Sequence, residues 1–488
     1  MKLKKILEGL DYRLLKGSLD QDIKDVCINS KQVKSGSLFV AIQGFKTDGH
    51  NFIGQAADNG AEAVVLQRKP AQDLPLFQVL VKDSRASLAG IAANFFNHPS
   101  NKMKLVGITG TNGKTTTCFL INSIFRQAGK NSSMITTVKS FIKDKEIKFD
   151  RTTPDALELN RFFDDSVKQG AEAAVMEVSS HSLDLKRVNH ICFEGFVFTN
   201  LSQDHLDYHH TMDNYFEAKQ KLFKPLNRKL YGGKFAVINI DDDYGQKLYQ
   251  ATDLETTGYS LNNESAELKA ENIENSIEGL KFDLYYKGKK FLAINSRLSG
   301  RFNVYNIMAA VGVVNNMGID RQVIRQGVEA LSGVPGRFEK IDTDMDFTVI
   351  VDYAHTPDGL QNVLSTIQQL KKKNSRVITI FGCGGDRDQK KRKIMGAAAG
   401  KYSDISIITS DNPRSEDPMA IIAMIEKGFT GSNDYLVIPD RKEAIGEALH
   451  LAKTDDIVLI AGKGHEDYQE FADYRIHFSD QEIVRNIL

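Results

Sequence analysis

A lysine and a threonine set after a glycine-rich turn are the residues best placed to do chemistry. They stand in KLVGITGTNGKTTT, residues 104–117, where an apolar run enters the turn and CFLINSIF continues as a helix. Gly110 and Gly113 allow the backbone to bend so that successive amides along Gly110, Thr111, Asn112, Gly113, Lys114, Thr115 and Thr116 point at phosphate oxygens. Lys114 neutralises β/γ charge, the Thr115 hydroxyl can ligate Mg²⁺, and the helix N-terminus adds its dipole. The spacing departs from the general phosphate loop. Five residues separate Gly107 from Gly113 where the pattern has four, and counting from Ile108 loses the first glycine.

Other candidates follow further apolar runs. Glu177 ends one in AAVMEVSSHSLDL, where a carboxylate could hold the Mg²⁺ that Thr115 touches. FVFTNLSQDHLDYHH brings Asp204, His205 and Asp207 together, with Lys219 fourteen residues beyond His205. By spacing alone that cluster is either a metal site or an exposed polar loop. By residue type alone Lys219 is a solvated lysine on a helix, since lysines are seldom buried.

The elements that must position these residues recur along the chain as a β-branched run, a polar or Gly-rich loop and an amphipathic helix. Such runs are Lys104–Ile108, Ala173–Val178, Gly195–Phe198, Phe347–Val351, Arg376–Phe381, Asp404–Thr409 and Asp456–Ile460. Continuous apolar runs suit strands covered on both faces, and their alternation with helices implies parallel sheets. Ligands then bind beyond the carboxyl ends of the strands. FDLYYKG and KKFLAI read as a hairpin. Turn-rich NHPSN at 97–101 and SGVPGR at 332–337 mark breaks, giving segments 1–99, 100–334 and 335–488.

A chain of 488 residues is long enough for about three domains. Its 41% hydrophobic and 26% charged residues are those of a globular protein. Lys+Arg and Asp+Glu are equal at 63 each, so no global field draws it to nucleic acid or anionic lipid. Glu8 and Asp11 interrupt the first apolar stretch, and no run approaches the roughly 18 apolar residues that span a bilayer. Cys27, Cys118, Cys192 and Cys383 lie far apart and read as buried reduced thiols. A cytoplasmic protein without nucleic-acid or membrane partners is expected.

GITGTNGKTTT, TTPDA, MEVSSH, FTNLSQDHLDYH, GRFN, VPGRFE, VDYAHTPDGL, GCGGDRD, DNPR and AGKGHEDY occur in this order. Together they resemble the Mur ligases of peptidoglycan synthesis over nearly the whole chain. GTNGKT is that family's own form of the phosphate loop, and DNPR is similar to the version found where meso-diaminopimelate is the amino acid added. The resemblance implies an α/β protein of three domains: an N-terminal UDP-binding domain, a central P-loop ATPase with a parallel sheet and a small β region, and a Rossmann-like C-terminal domain. It implies small-molecule substrates: ATP, UDP-MurNAc-L-Ala-D-Glu and meso-diaminopimelate; a monomer is expected. It implies amide formation through an acyl phosphate and a tetrahedral intermediate, with Mg²⁺ as cofactor.

Site residues follow by the same resemblance. Lys114, His205 and Lys219 are catalytic; Lys219 carries a CO₂-derived carbamate and helps His205 hold a second Mg²⁺, beside the one on Thr115 and Glu177. Asn303, Arg337 and Asp352 match adenine and ribose contacts, with Asn306 near them. Ser30, Thr152, Thr153, Ser179 and Arg187 match contacts to the muramyl dipeptide. Many relatives carry Asn where this chain has Arg151, which either reaches a phosphate or is simply exposed. Arg387, Asp411, Asn412, Pro413, Arg414, Gly462 and Glu466 follow three strand runs and suit a zwitterion with an ammonium and a carboxylate at its far end. Arg414 is expected to stand unpaired until it forks onto that carboxylate, so that lysine leaves its charge unsatisfied. GCGGDR also resembles a dinucleotide fingerprint but lacks the third glycine. The alternatives are the same reaction with L-lysine and, outside the class, an ATP-dependent switch or binding protein.

Overall fold

A computed structural model describes residues 1–45, 47–69, 74–430 and 434–488. It divides into two compact units. One comprises residues 1–270, 284–292 and 305–327, and the other residues 271–283, 293–304 and 328–488.

Among the described residues the first unit opens with β1 (Tyr12–Lys16), β2 (Asp25–Cys27), β3 (Ser37–Val40), β4 (Ala61–Leu66) and β5 (Phe77–Val81), in the order β1-β5-β4-β3-β2. Only β1 runs antiparallel to its neighbour in this sheet. The helix Ser84–Phe95 packs its Leu88, Ala89, Ile91 and Ala92 into the same core. Asp83 caps that helix by accepting hydrogen bonds from the amides of Arg85 and Ala86.

The break at 97–101 is a tight connection, with Asn97 and His98 at positive φ and a 3₁₀ turn over Pro99–Lys102. It delivers the chain into β6 (Lys104–Thr109). Then come β7 (Ser132–Ile135), β8 (Ser140–Ile142), β9 (Lys145–Ile147), β10 (Ala173–Glu177), β11 (Phe193–Phe198), β12 (Gly232–Asn239) and β13 (Glu255–Ser260). Their order is β13-β12-β11-β6-β10-β7-β8-β9. From β13 to β7 every neighbour is parallel. β6 and β10 are buried almost end to end, because helices cover both faces. Register does the positioning: Glu177 pairs with Ile108, and Phe198 with Thr109. The carboxyl ends of β10, β6 and β11 therefore meet at one edge.

The β-rich stretch is β13, β14 (Leu268–Ser276), β15 (Gly279–Tyr286) and β16 (Lys289–Ser296). Lys287 and Gly288, both at positive φ, join β15 to β16 as a two-residue hairpin turn.

In the second unit the break at 332–337 precedes β17 (Glu339–Ile341) and β18 (Thr348–Asp352). They are followed by β19 (Val377–Phe381), β20 (Ile405–Ile408), β21 (Asp434–Val437), β22 (Ile457–Ala461), β23 (Tyr468–Glu470) and β24 (Arg475–His477). The main sheet runs β17-β18-β22-β19-β20-β21, parallel except for β17. The ends of β22, β19 and β20 are adjacent, as the three charged motifs require.

Two expectations need correction. Arg376 lies outside its strand, where Asp456 accepts from its backbone amide and its guanidinium and so ties it to the start of β22. Cys192 is exposed, whereas Cys27, Cys118 and Cys383 are buried; all four are free thiols.

Candidate active site

The phosphate loop spans the end of β6 and the helix Lys114–Gln127. Gly110 and Gly113 have φ of 146° and 85°. A Cβ on Gly110 would come within 1.9 Å of Thr199 Oγ1, and one on Gly113 within 2.3 Å of Asn306 Oδ1. Glycine is thus required by both conformation and space. Gly107 is a different case: it lies inside β6, and a Cβ there would press on the Phe193 ring at 2.8 Å. It is a packing glycine, so the odd spacing counted from it has no bearing on the loop.

The residues after β11 hold this loop in place. Thr199 Oγ1 donates to the Asn112 carbonyl at 2.6 Å, and Asn200 accepts from the amides of Thr111 (2.8 Å, at its carbonyl) and Asn112 (2.9 Å, at its side chain). Sequence reasoning missed Thr199 and Asn200, although the strand-end rule applied to β11 would have found them. Lys114 Nζ lies back across the loop, donating to the carbonyls of Gly110 (3.0 Å) and Thr111 (2.7 Å).

Glu177 is 1% exposed, not the solvated strand-end residue that its type alone suggests. Its Oε1 accepts from Thr115 Oγ1 at 2.7 Å and from the Thr137 amide at 3.0 Å. A hydroxyl and a carboxylate oxygen side by side at the phosphate loop suit a hard cation. Mg²⁺ normally takes one or two protein oxygens and completes its shell with phosphate and water. Among the described residues no grouping of three or more His, Cys, Asp or Glu could hold a metal by itself.

Lys219 corrects the reading from residue type most sharply. It lies on the helix Met212–Gln220, is 1% exposed, and donates to the Gly110 carbonyl at 2.8 Å. The Tyr215 ring centroid is 4.6 Å from its amine. Burial first, and Lys114 second, push the amine well below its ordinary pKa and favour the neutral form. A neutral amine is the form that combines with CO₂, so the site fits a carbamate. His205 is half-exposed at φ 52°, with Nε2 3.4 Å from Asp204. Burial lowers its pKa, and Lys114 and Lys219 act in the same direction. His181 lies 4.8 Å away, ring to ring. Asp207 is exposed.

A hydrogen-bonded path leads from this edge toward the N-terminal sheet. Thr153 Oγ1 donates to the Glu177 carbonyl (2.9 Å) and accepts from the Ser179 amide (3.1 Å), while Arg187 Nη1 donates to the Thr153 carbonyl (3.0 Å). Thr152 accepts from Thr137 Oγ1 at 3.0 Å. Arg187 in turn lines a cavity of about 530 Å³ with Ser30, Lys31, Phe45, Arg85 and Arg151. Ser30 donates to Gln55 at 2.6 Å. Burial, then Arg151, then more weakly Arg85, lower the pKa of Arg187. Three guanidinium groups on one cavity, with Asp155 as a carboxylate among them, suit an anion; Arg151 itself is exposed at its rim. Arg85 had no signal in the sequence.

In the second unit Asp352 ends β18 and accepts from the amides of Phe338 (2.6 Å) and Ala354 (2.8 Å). Burial raises its pKa against the pull of Arg337, which lies over the Tyr353 ring. Asn303 is buried and donates to the Ser299 carbonyl. The loops after β19 and β20 interlock: a Cβ on Gly382 or Gly385 would strike the carbonyls of Thr409 (2.3 Å) or Pro413 (1.9 Å). Those glycines serve loop packing, which accounts for GCGGDR without a dinucleotide. Arg387 is exposed on the first loop.

Asp411, Asn412 and Pro413 are buried. Lys463, fully buried, reaches Asn412 Oδ1 (3.0 Å), Glu466 (3.2 Å) and Asp411 (3.7 Å). Asn412 donates to Glu466 at 2.9 Å. Burial raises the Glu466 pKa, opposed by Lys463. Gly462, at φ 114°, leaves room for Asp411, whose Oδ2 a Cβ would meet at 3.1 Å. Arg414 is not the unpaired cation expected: Nε donates to Glu470 Oε2 (2.7 Å) and Nη1 to the Gly385 carbonyl (2.8 Å). Glu470 stands 56 residues along the chain, beyond any local pattern.

Three family profiles match the chain: "Mur ligase family, catalytic domain" over 22–97, "Mur ligase middle domain" over 108–314, and "Mur ligase, glutamate ligase domain" over 336–464. The chain is 45% identical to UDP-N-acetylmuramoyl-L-alanyl-D-glutamate–2,6-diaminopimelate ligase 1 of Clostridium acetobutylicum, covering 100% of this chain and 99% of that one. It is 43% identical to the 2,6-diaminopimelate ligase of Aquifex aeolicus, covering 96% and 94%. A solved structure of a UDP-N-acetylmuramoyl-L-alanyl-D-glutamate–2,6-diaminopimelate ligase superposes with a TM-score of 0.72 at 33% identity, covering 100% and 98%. The D-alanyl-D-alanyl ligase of Acinetobacter baumannii, at 18% identity and a TM-score of 0.66, shares the fold.

Proposed function

The chain belongs to the Mur ligase family, and from that we infer that it joins meso-diaminopimelate to UDP-MurNAc-L-Ala-D-Glu at the expense of ATP. The observation that carries the choice of amino acid is the charge balance at the ends of β22, β19 and β20. Asp411 and Glu466 around Lys463 leave one negative charge over, and Arg414 and Arg475 around Glu470 leave one positive. The far end of diaminopimelate carries one ammonium and one carboxylate. Arg387, Asn412, Pro413 and Gly462 complete the site in this reading.

The D-Glu carboxylate attacks the γ-phosphorus of ATP, releasing ADP and giving an acyl phosphate. The amine then attacks the acyl carbon and phosphate leaves. Lys114 meets the β/γ-phosphates, and the amides from Gly110 to Thr116 cradle them. Mg²⁺, held by Thr115 and Glu177 and by His205 with carbamylated Lys219, would supply positive charge against phosphate and acyl oxygens. Capping Lys219 with CO₂ replaces an amine by an anionic oxygen ligand. Asn303, Arg337 and Asp352 take the adenosine, and Ser30, Thr152, Thr153, Ser179 and Arg187 the muramyl dipeptide. The same reading keeps the segments 1–99, 100–334 and 335–488 as domains and the protein as a cytoplasmic monomer. Among the described residues no helix is long and apolar enough to cross a membrane.

ADP release with Mg²⁺, ATP and UDP-MurNAc-L-Ala-D-Glu tests the function, run with meso-diaminopimelate, L-lysine or no amino acid. Turnover only with meso-diaminopimelate is expected. ATP hydrolysis indifferent to both other substrates would replace the ligase by a nucleotide-driven switch. One observation favours L-lysine as a second reading: Glu470 already pairs with Arg414, so lysine leaves no arginine without an ionic partner there. Turnover with lysine would decide for it. Arg151→Ala is expected to raise KM for the UDP substrate about tenfold, the loss of one charge-assisted contact. KM for ATP should move less than twofold in the same initial-rate measurements.

A further inference from the structure

Glu470 grips the loop Asp411–Arg414 through several atoms. Its Oε2 accepts from Arg414 Nε at 2.7 Å, its amide donates to Asn412 Oδ1 at 2.9 Å, and its carbonyl accepts from the Arg414 amide at 3.1 Å. The neighbouring Gln469 side chain donates to the Asp411 carbonyl at 2.8 Å. Arg414 sits at φ 51°, a conformation that a side chain with a Cβ seldom adopts, and this strand is what holds it there. The other oxygen of Glu470, Oε1, accepts from Arg475 Nε at 3.0 Å across the β23–β24 pair. Arg475 and Arg414 together keep the Glu470 carboxyl below its ordinary pKa, Arg475 contributing more.

The consequence for Arg414 is geometric. With Nε on Glu470 and Nη1 on the Gly385 carbonyl, the guanidinium plane is fixed by two bonds, and its Nη1/Nη2 end is the edge left for a bidentate carboxylate. A fixed fork loses less freedom on binding than a free arginine. We propose that Glu470, with Arg475 behind it, is a positioning residue that aims Arg414 at the distal carboxylate of the incoming amino acid and so sets the preference for a diacid over a monoacid. The proposal rests on the ligase reading above.

Full-length Glu470→Gln keeps the backbone bonds and the side-chain volume but removes the charge. Initial rates would be measured for meso-diaminopimelate and, at high concentration, for L-lysine, with wild type, Arg475→Gln and Arg414→Ala in parallel. Glu470→Gln is expected to raise KM for meso-diaminopimelate about tenfold, with kcat within twofold. Its kcat/KM for lysine should stay within twofold, since lysine lacks the carboxylate, and Arg475→Gln should give a smaller shift of the same kind, about threefold. Equal losses with both amino acids would show general damage to the loop and overturn the proposal. So would an unchanged or lower KM for meso-diaminopimelate in Glu470→Gln while Arg414→Ala loses the preference; the ligase reading would then survive without it. If wild type turns over neither amino acid, or if Arg414→Ala leaves the preference intact, both the specificity reading and this proposal fall.

Discussion

Lys219→Ala is expected to lower ligation by about a thousandfold, the loss seen when a group stabilising transition-state charge is removed. Added bicarbonate should not restore it, because no amine remains to be carbamylated. The argument starts from burial: the amine is enclosed at the Gly110 carbonyl, its pKa is pushed well down, and Lys114 lies close by. A permanent cation there would add to a site already holding Lys114 and would repel Mg²⁺. A carbamate reverses that sign without moving the helix Met212–Gln220. The assay is ADP release with all substrates saturating, alongside a thermal melt to show that the variant folds. Near wild-type rates in a folded variant would remove the carbamate assignment, and Lys219 would be a packing residue whose amine anchors Gly110.

Arg414→Ala is expected to lower kcat/KM for meso-diaminopimelate about a hundredfold, or ~2.7 kcal/mol. KM for ATP should stay within about twofold. Because Glu470 already neutralises Arg414, removing the arginine also leaves Glu470 with Arg475 as its remaining ionic partner, so the effect includes a negative charge newly turned toward the incoming carboxylate. The pairing also moderates the discrimination expected from sequence. Lysine loses the contact with the fork but does not leave a buried cation stranded, so its rejection is less steep than an unpaired arginine would enforce. Separate KM determinations for both amino acids and ATP check this. Equal rises for ATP and amino acid would sink the specificity argument.

The parts legible in the sequence are those whose chemistry is local. GTNGKT reads as a phosphate loop because contiguous residues set its backbone, and strand ends at Glu177, Phe198 and Asp352, with one within a residue of Thr109, follow from apolar runs that need covering on both faces. The breaks at 97–101 and 332–337 were visible in turn-forming residues for the same reason. The odd glycine count was also visible, but its cause was not: Gly107 answers to the Phe193 ring, which belongs to a strand 86 positions on.

What lay beyond reach depends on residues distant in the chain. The type of Lys219 says solvent, yet the packing of its helix on the phosphate loop puts it at Gly110, 109 residues away. Arg151 could not be assigned from its neighbours, because Arg85 and Arg187 come to its cavity from other elements. Arg414 looked free because nothing within several residues pairs with it; its partner is on the strand after β22. The sequence by itself determined that a nucleotide phosphate is bound, since phosphate binding is a property of one short turn and its helix, and its ordered motifs carried the resemblance that implied the reaction. Charge state, pairing and selectivity were decided by the tertiary structure, because burial and Coulomb energy depend on distances in space that only the assembled sheets define.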